Sequence, residues 1–134
     1  MLFDTNILYS IFFKQNDFKS SWELLSYAVD FKETIYINQF TIYSFAMGCC
    51  KKKQEKTLDR FNELLKEQIF DLISLNNFDI PEVFKFMKEY DLDFDDALHA
   101  FLAKKHRMSL ITFDKDFDRV NVEHYTPREW LKRG

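Results

Sequence analysis

A chain of 134 residues falls just short of the ~150 residues usual for one domain, so a single domain spanning 1–134 is expected. Hydrophobic residues at 46% and aromatic residues at 18% exclude a disordered chain, and 16 Phe against 2 Gly and 2 Pro favour long helices over a Gly-rich sandwich or barrel. With 19 basic and 22 acidic side chains the net charge is −3, so no global basic field exists to hold nucleic acid, and any such contact must be local or made through a metal.

Leu2-Phe3 is a short apolar strand ending on Asp4, and Thr5-Asn6 precede the apolar helical run Ile7 to Phe13. Phe18, Trp22, Leu25 and Val29 form a helical stripe, followed by the strand Ile35-Tyr36-Ile37. Asn38 is placed to cap a helix running to about Gly48, and Lys51 to Gln68 reads as a charged helix with Leu58, Phe61, Leu65 and Ile69 on one face. Phe70 to Leu75 is a third strand, and Asn77 with Pro81 opens another helix. Asp91 to Asp96 then holds four acids in six positions ahead of a helix from Ala97 to Arg107. Ser109 to Phe113 is the clearest strand and ends on Asp114; Val120 to Tyr125 is expected as an edge strand, and Pro127 starts a terminal helical turn. This alternation predicts a three-layer α/β/α domain with a mostly parallel central sheet.

Cys49 and Cys50 are adjacent and read as reduced thiols of a cytoplasmic protein, since neighbouring cysteines rarely form an unstrained disulfide. The longest uncharged stretch, Thr34 to Cys50, is interrupted by polar residues and falls short of the ~20 apolar residues of a membrane span. The opening Met1-Leu2-Phe3-Asp4 does not read as a secretory signal.

In an open α/β sheet, functional residues gather past the carboxyl ends of the strands. Asp4 and Asp114 occupy such positions, Asp116 follows two residues on, and Asp96 lies in the first turn of a helix. If these meet, their charges repel unless protonated or neutralised by a divalent cation, and an all-oxygen set selects Mg²⁺ or Mn²⁺ over Zn²⁺. Such a cation is the equipment of phosphodiester hydrolysis. Ordinary capping and turn formation explain acids at the same positions equally well, so spacing leaves both readings open.

Met1 to Leu8, Phe94-Asp95-Asp96-Ala97-Leu98-His99-Ala100-Phe101-Leu102-Ala103 and Leu110-Ile111-Thr112-Phe113-Asp114-Lys115-Asp116-Phe117 resemble, in order, the first, third and fourth motifs of PIN domains. The small size resembles the toxin ribonucleases of type II toxin–antitoxin pairs, of the VapC type. The resemblance implies cleavage of RNA with Mg²⁺ or Mn²⁺ and inhibition by a small antitoxin protein. Carried onto this sequence, Asp4, Asp96 and Asp114 are metal ligands, and Asp116 is a ligand or an orienter of water. Asn6 and Thr112 are candidates to hold these carboxylates by hydrogen bonds, and Asp95 or Asp93 is a candidate substitute ligand. Of Asp95 and Asp96, only one should face the cleft.

One motif departs from the family: Ser44 stands where the second-motif glutamate is expected, and no acid lies between Glu33 and Glu55. A non-catalytic PIN-like binding module is therefore the rival reading. A phosphatase-like enzyme with Asp4 as nucleophile is a third, disfavoured by Asn6 where a second acid is wanted. His99, one turn after Asp96, is a candidate acid for the leaving oxygen or a packed core histidine. Lys51, Lys52 and Lys53, and Lys104 with Lys105, are candidate RNA contacts or solvated helix faces. The apolar stripe Phe61, Leu64 and Leu65 and the rings of Phe12, Phe13 and Phe18 supply core, with surface to spare for a homodimer or an antitoxin helix.

Overall fold

A computed structural model describes residues 1–133, and Gly134, the last residue of the expected domain, lies outside them. Five strands, β1 Leu2–Phe3, β2 Ile35–Asn38, β3 Phe70–Ile73, β4 Leu110–Ile111 and β5 His124–Tyr125, form one sheet in the order β3-β2-β1-β4-β5. Every pair is parallel, with Leu2 opposite both Tyr36 and Leu110. The helices are α1 Thr5–Phe13, α2 Phe18–Asp30, α3 Gln39–Lys51, α4 Glu55–Lys66, α5 Ile80–Tyr90, α6 Phe94–Lys105 and α7 Pro127–Lys132. Among the described residues no helix is long and apolar enough to cross a membrane.

Successive strand residues point to opposite faces, and β1 divides the interior accordingly. Phe3 joins a core with Ile7, Phe45, Phe61 and Phe70, covered by α1 to α4 and α7. Leu2 joins another with Val83, Leu102 and Phe117, covered by α5 and α6. This is the three-layer arrangement, with both faces of a parallel sheet buried. Much of the aromatic excess serves the first face: the Phe45 ring lies 5.1 Å from Phe61, 5.3 Å from Phe12 and 5.7 Å from Tyr9. Gly48 leaves room for the Tyr9 ring, because a Cβ at that position would overlap the Tyr9 hydroxyl, which donates to the Ser44 carbonyl at 3.3 Å.

Several expected boundaries move. The lysines assigned to the start of a helix instead end α3 and turn the chain, with Lys53 at φ 53°, so α4 begins only at Glu55. Asn38 caps α3 as expected, its side chain accepting from the Thr41 amide at 2.8 Å. The helix expected from Ala97 begins at Phe94, which moves Asp95 and Asp96 inside its first turn. Strand β4 is confined to two residues and β5 to the last two of the expected stretch. The Thr112 amide still donates to the Tyr125 carbonyl at 2.9 Å, and the chain leaves the ladder after it, with the Thr112 hydroxyl turned to Asp4.

Strand order fixes where a site belongs. The chain steps from β1 to β2 and β3 on one side, then returns to β4 on the other. The order reverses between β1 and β4, and a crevice opens at their carboxyl ends. Asp4 follows β1, and Asp114 stands three residues beyond β4.

Candidate metal centre

Asp4 occupies the N-cap position of α1 without using its side chain as a cap. Its buried carboxylate accepts instead from the Thr112 hydroxyl at 2.7 Å. Thr112 Oγ1 in turn accepts from the Asp114 amide at 3.0 Å and from Asn6 Nδ2 at 3.5 Å. One hydroxyl thus links the ends of β1 and β4. Asn6 was expected to hold a carboxylate, but its Nδ2 goes to Thr112 and its Oδ1 accepts from the Phe113 amide at 3.4 Å. It supports the carboxylates through Thr112.

Asp114 caps a 3₁₀ turn at Lys115–Arg119, accepting from the Asp116 amide at 2.8 Å. That turn folds Asp116 back, so that one carboxylate oxygen from each of Asp96, Asp114 and Asp116 lies within 4.8 Å of the others. Asp4 acts on the same group electrostatically. Burial pushes the Asp96 carboxyl up to about 7, reinforced in order by the charges of Asp95, Asp114, Asp4 and Asp116. The one cation bonded to this trio among the described residues is Arg119, 3.3 Å from the exposed edge of Asp116. Asp95 groups with Asp93 and Asp96 and is absent from the set containing Asp114 and Asp116, as expected for neighbours about 100° apart on a helix. An all-carboxylate set that retains a proton for want of positive charge suits a hard, oxygen-seeking divalent cation.

His99 has no solvent exposure and belongs to a buried polar chain. Its Nδ1 lies 2.8 Å from the Asp95 carbonyl and so must donate. In the neutral ring Nε2 then accepts from Thr41 Oγ1 at 3.2 Å, and Thr41 accepts from Thr5 at 2.9 Å. Asp4 Oδ1 stands 3.8 Å from Nδ1. The ring is packed in the interior, and a ring sealed from solvent is poorly placed to protonate a leaving oxygen. Its effect is to pin the first turn of α6, which bears Asp96, against α1 and α3. The sequence reading missed Thr5 and Thr41; hydroxyls opening two helices beside a strand-end acid were the available signal.

Ser44 is half-buried on α3, one turn beyond Thr41. The basic runs are not brought to the acids. Lys104 and Lys105 end α6, about 13 Å along the helix from Asp96. Lys105 is committed to Asp79, 2.8 Å away, and Lys104 lies over the Phe86 ring. Lys51 to Lys53 close α3 at the end away from Asn38, with Lys52 over Phe13, the last residue of α1. Helix C-termini attract lysines through the backbone dipole, and in a parallel α/β fold those ends lie away from the strand carboxyl ends.

Fold and cluster together define a doubly covered parallel α/β domain with an acidic crevice at its switch point. A sequence comparison matches the PIN domain over residues 1–123; the chain belongs to that family. No curated protein matches it in sequence. Among solved structures it is similar to a chain of a toxin–antitoxin complex from Klebsiella pneumoniae, at 28% identity and TM-score 0.74, covering 94% of this chain and 96% of that one. It also shares the fold of VapBC2 from Rickettsia felis bound to a promoter DNA fragment, at 22% identity and TM-score 0.72, covering 93% and 96%. The same holds for FitAcB from Neisseria gonorrhoeae, at 18% identity and TM-score 0.70, covering 95% and 97%.

Proposed function

We propose that this PIN domain is a metal-dependent endoribonuclease, the toxin of a toxin–antitoxin pair acting in the cytoplasm. The observation that carries the reading is the Asp96, Asp114 and Asp116 cluster, with Asp4 alongside, at the carboxyl ends of β1 and β4. Asp4, Asp96 and Asp114 are the residues to hold Mg²⁺ or Mn²⁺, with Asp116 as a further ligand or a group that orients water. Bound there, such a cation polarises a phosphoryl oxygen and lowers the pKa of the attacking water.

The residues around the cluster have their own parts. Thr112 fixes the rotamer of Asp4, and the turn at Lys115–Arg119 presents Asp114 and Asp116 together. His99, through the Asp95 carbonyl, holds Asp96 in place. Asp96 gives up its proton when positive charge arrives.

The antitoxin partner is supported by the likeness to a chain of the toxin–antitoxin complex from Klebsiella pneumoniae. An apolar groove of about 420 Å³ between α1, α2 and α4, lined by Phe12, Trp22, Val29 and Leu64, offers a helix-docking face, and homodimerisation is part of the same reading. The second reading, a binding module without catalysis, is favoured by Ser44, a neutral side chain where the family motif carries a glutamate.

A pool of structured and single-stranded RNAs, incubated with Mn²⁺, Mg²⁺ or EDTA, distinguishes them. The nuclease reading expects cuts that need the metal and fall at least about 100-fold with Asp96→Asn. Folded protein that cuts nothing in any metal establishes the binding module instead.

A further inference from the structure

The carboxyl ends of β2 and β3, with the first turns of α3 and α6, enclose a second pocket of about 240 Å³. It is smaller than a drug-sized site and has room for one planar ring system. Strand order sets it beside the acids: β2, which ends on the pocket residue Asn38, pairs with β1, which Asp4 follows. Three rings around the pocket remain open to solvent, Phe40 at 40%, Tyr43 at 63% and Phe94 at 38%. Behind them is Asn38, only 2% exposed. Its Oδ1 is taken by the Thr41 amide. Its Nδ2 is the one buried side-chain polar atom without a hydrogen-bond partner among the described residues. An unpaired buried donor is unfavourable, and an acceptor entering the pocket would relieve it.

We infer that this pocket seats one unpaired nucleobase of the RNA, from the nucleotide next to the one whose phosphate meets Asp96; the inference rests on the nuclease reading above. Aromatic faces with a buried, unpaired donor behind them fit a flat heterocycle bearing a carbonyl or ring-nitrogen acceptor. A base stacked within a duplex cannot enter such a pocket, so the site selects single-stranded or splayed RNA. With no basic run beside the acids, stacking supplies the grip that surface charge does not.

The test uses a labelled single-stranded oligoribonucleotide of about ten nucleotides and a set carrying one abasic nucleotide at each position in turn. Binding is measured in Ca²⁺ and cleavage in Mn²⁺, for wild type, Phe40→Ser and Tyr43→Ser. One abasic position is expected to weaken wild-type binding about tenfold, the scale of one stacked base. Tyr43→Ser should weaken binding of the intact strand by a similar factor, become indifferent to that abasic position, and leave Mn²⁺ affinity unchanged. No sensitive position, equal sensitivity in wild type and variants, or no binding of any strand overturns the proposal. Absence of cleavage in every metal, with the binding losses retained, removes the nuclease reading and leaves the base pocket standing. A Tyr43→Ser protein that changes its mass in sedimentation while binding RNA normally assigns the rings to a second copy of the chain and also overturns it.

Discussion

The two ends of the α5–α6 pair handle acidic side chains in opposite ways. At one end Asp79, beside the start of α5, receives Lys105 Nζ at 2.8 and 2.9 Å. That hydrogen bond, together with one from the Asn76 amide, holds its carboxyl below the usual range. At the other end Asp96, in the first turn of α6, faces Asp114 and Asp116, and it is pushed up to about 7. Both carboxylates stand near a helix N-terminus, where the dipole favours them equally. What separates them is the neighbour: a lysine neutralises one, whereas burial among other acids leaves the other short of positive charge. The first arrangement holds two helices together; the second costs stability and is the one that attracts a cation.

The largest effect that sharpens this contrast is the coupling of metal to pH. Asp96 titrates near 7 in the folded chain against 3.8 unfolded, so between those values the folded state binds more protons. Without metal, stability therefore falls as pH rises from about 4 to 7. Bound Mn²⁺ must displace that proton, so its apparent affinity should rise with pH by up to about tenfold per unit and level off above 7. Thermal melts across this range with and without Mn²⁺ check both trends, and a shift of the same size at pH 5 and pH 8 would break the contrast.

Ser44→Glu adds a carboxylate to a set that already repels itself. Mn²⁺ should bind several-fold more tightly in a calorimetric titration, while the metal-free midpoint falls. No gain in affinity would show that position 44 does not face the cation. The smallest effect belongs to the paired end. Asp79→Asn should lower the thermal midpoint by a few degrees and leave RNA cleavage unchanged. Lost cleavage there would mean that the two ends are not independent.

The acidic end was largely legible in the sequence, because an acid closing a strand and an acid opening a helix are local patterns, and Asp4, Asp96 and Asp114 fall on them. The sheet order that gathers them depends on long-range pairing, which periodicity does not report. The placement of the lysines was hidden for the same reason. A run such as Lys51 to Lys53 has the composition of an RNA contact, yet the direction of α3 carries it away from the acids, and only the tertiary fold reveals Asp79 beside Lys105. Likewise His99 could be assigned to a packed core only once Thr41, 58 residues earlier in sequence, was seen at its Nε2.

Direct calorimetric titration of Mn²⁺ into wild type, Asp96→Asn and Asp79→Asn at pH 8 tests the central claim without any RNA. Wild type and Asp79→Asn should bind alike, and Asp96→Asn should lose most of the affinity while remaining folded. Equal binding by Asp96→Asn, or no binding by the wild type, would contradict the assignment of this acidic crevice as the metal centre.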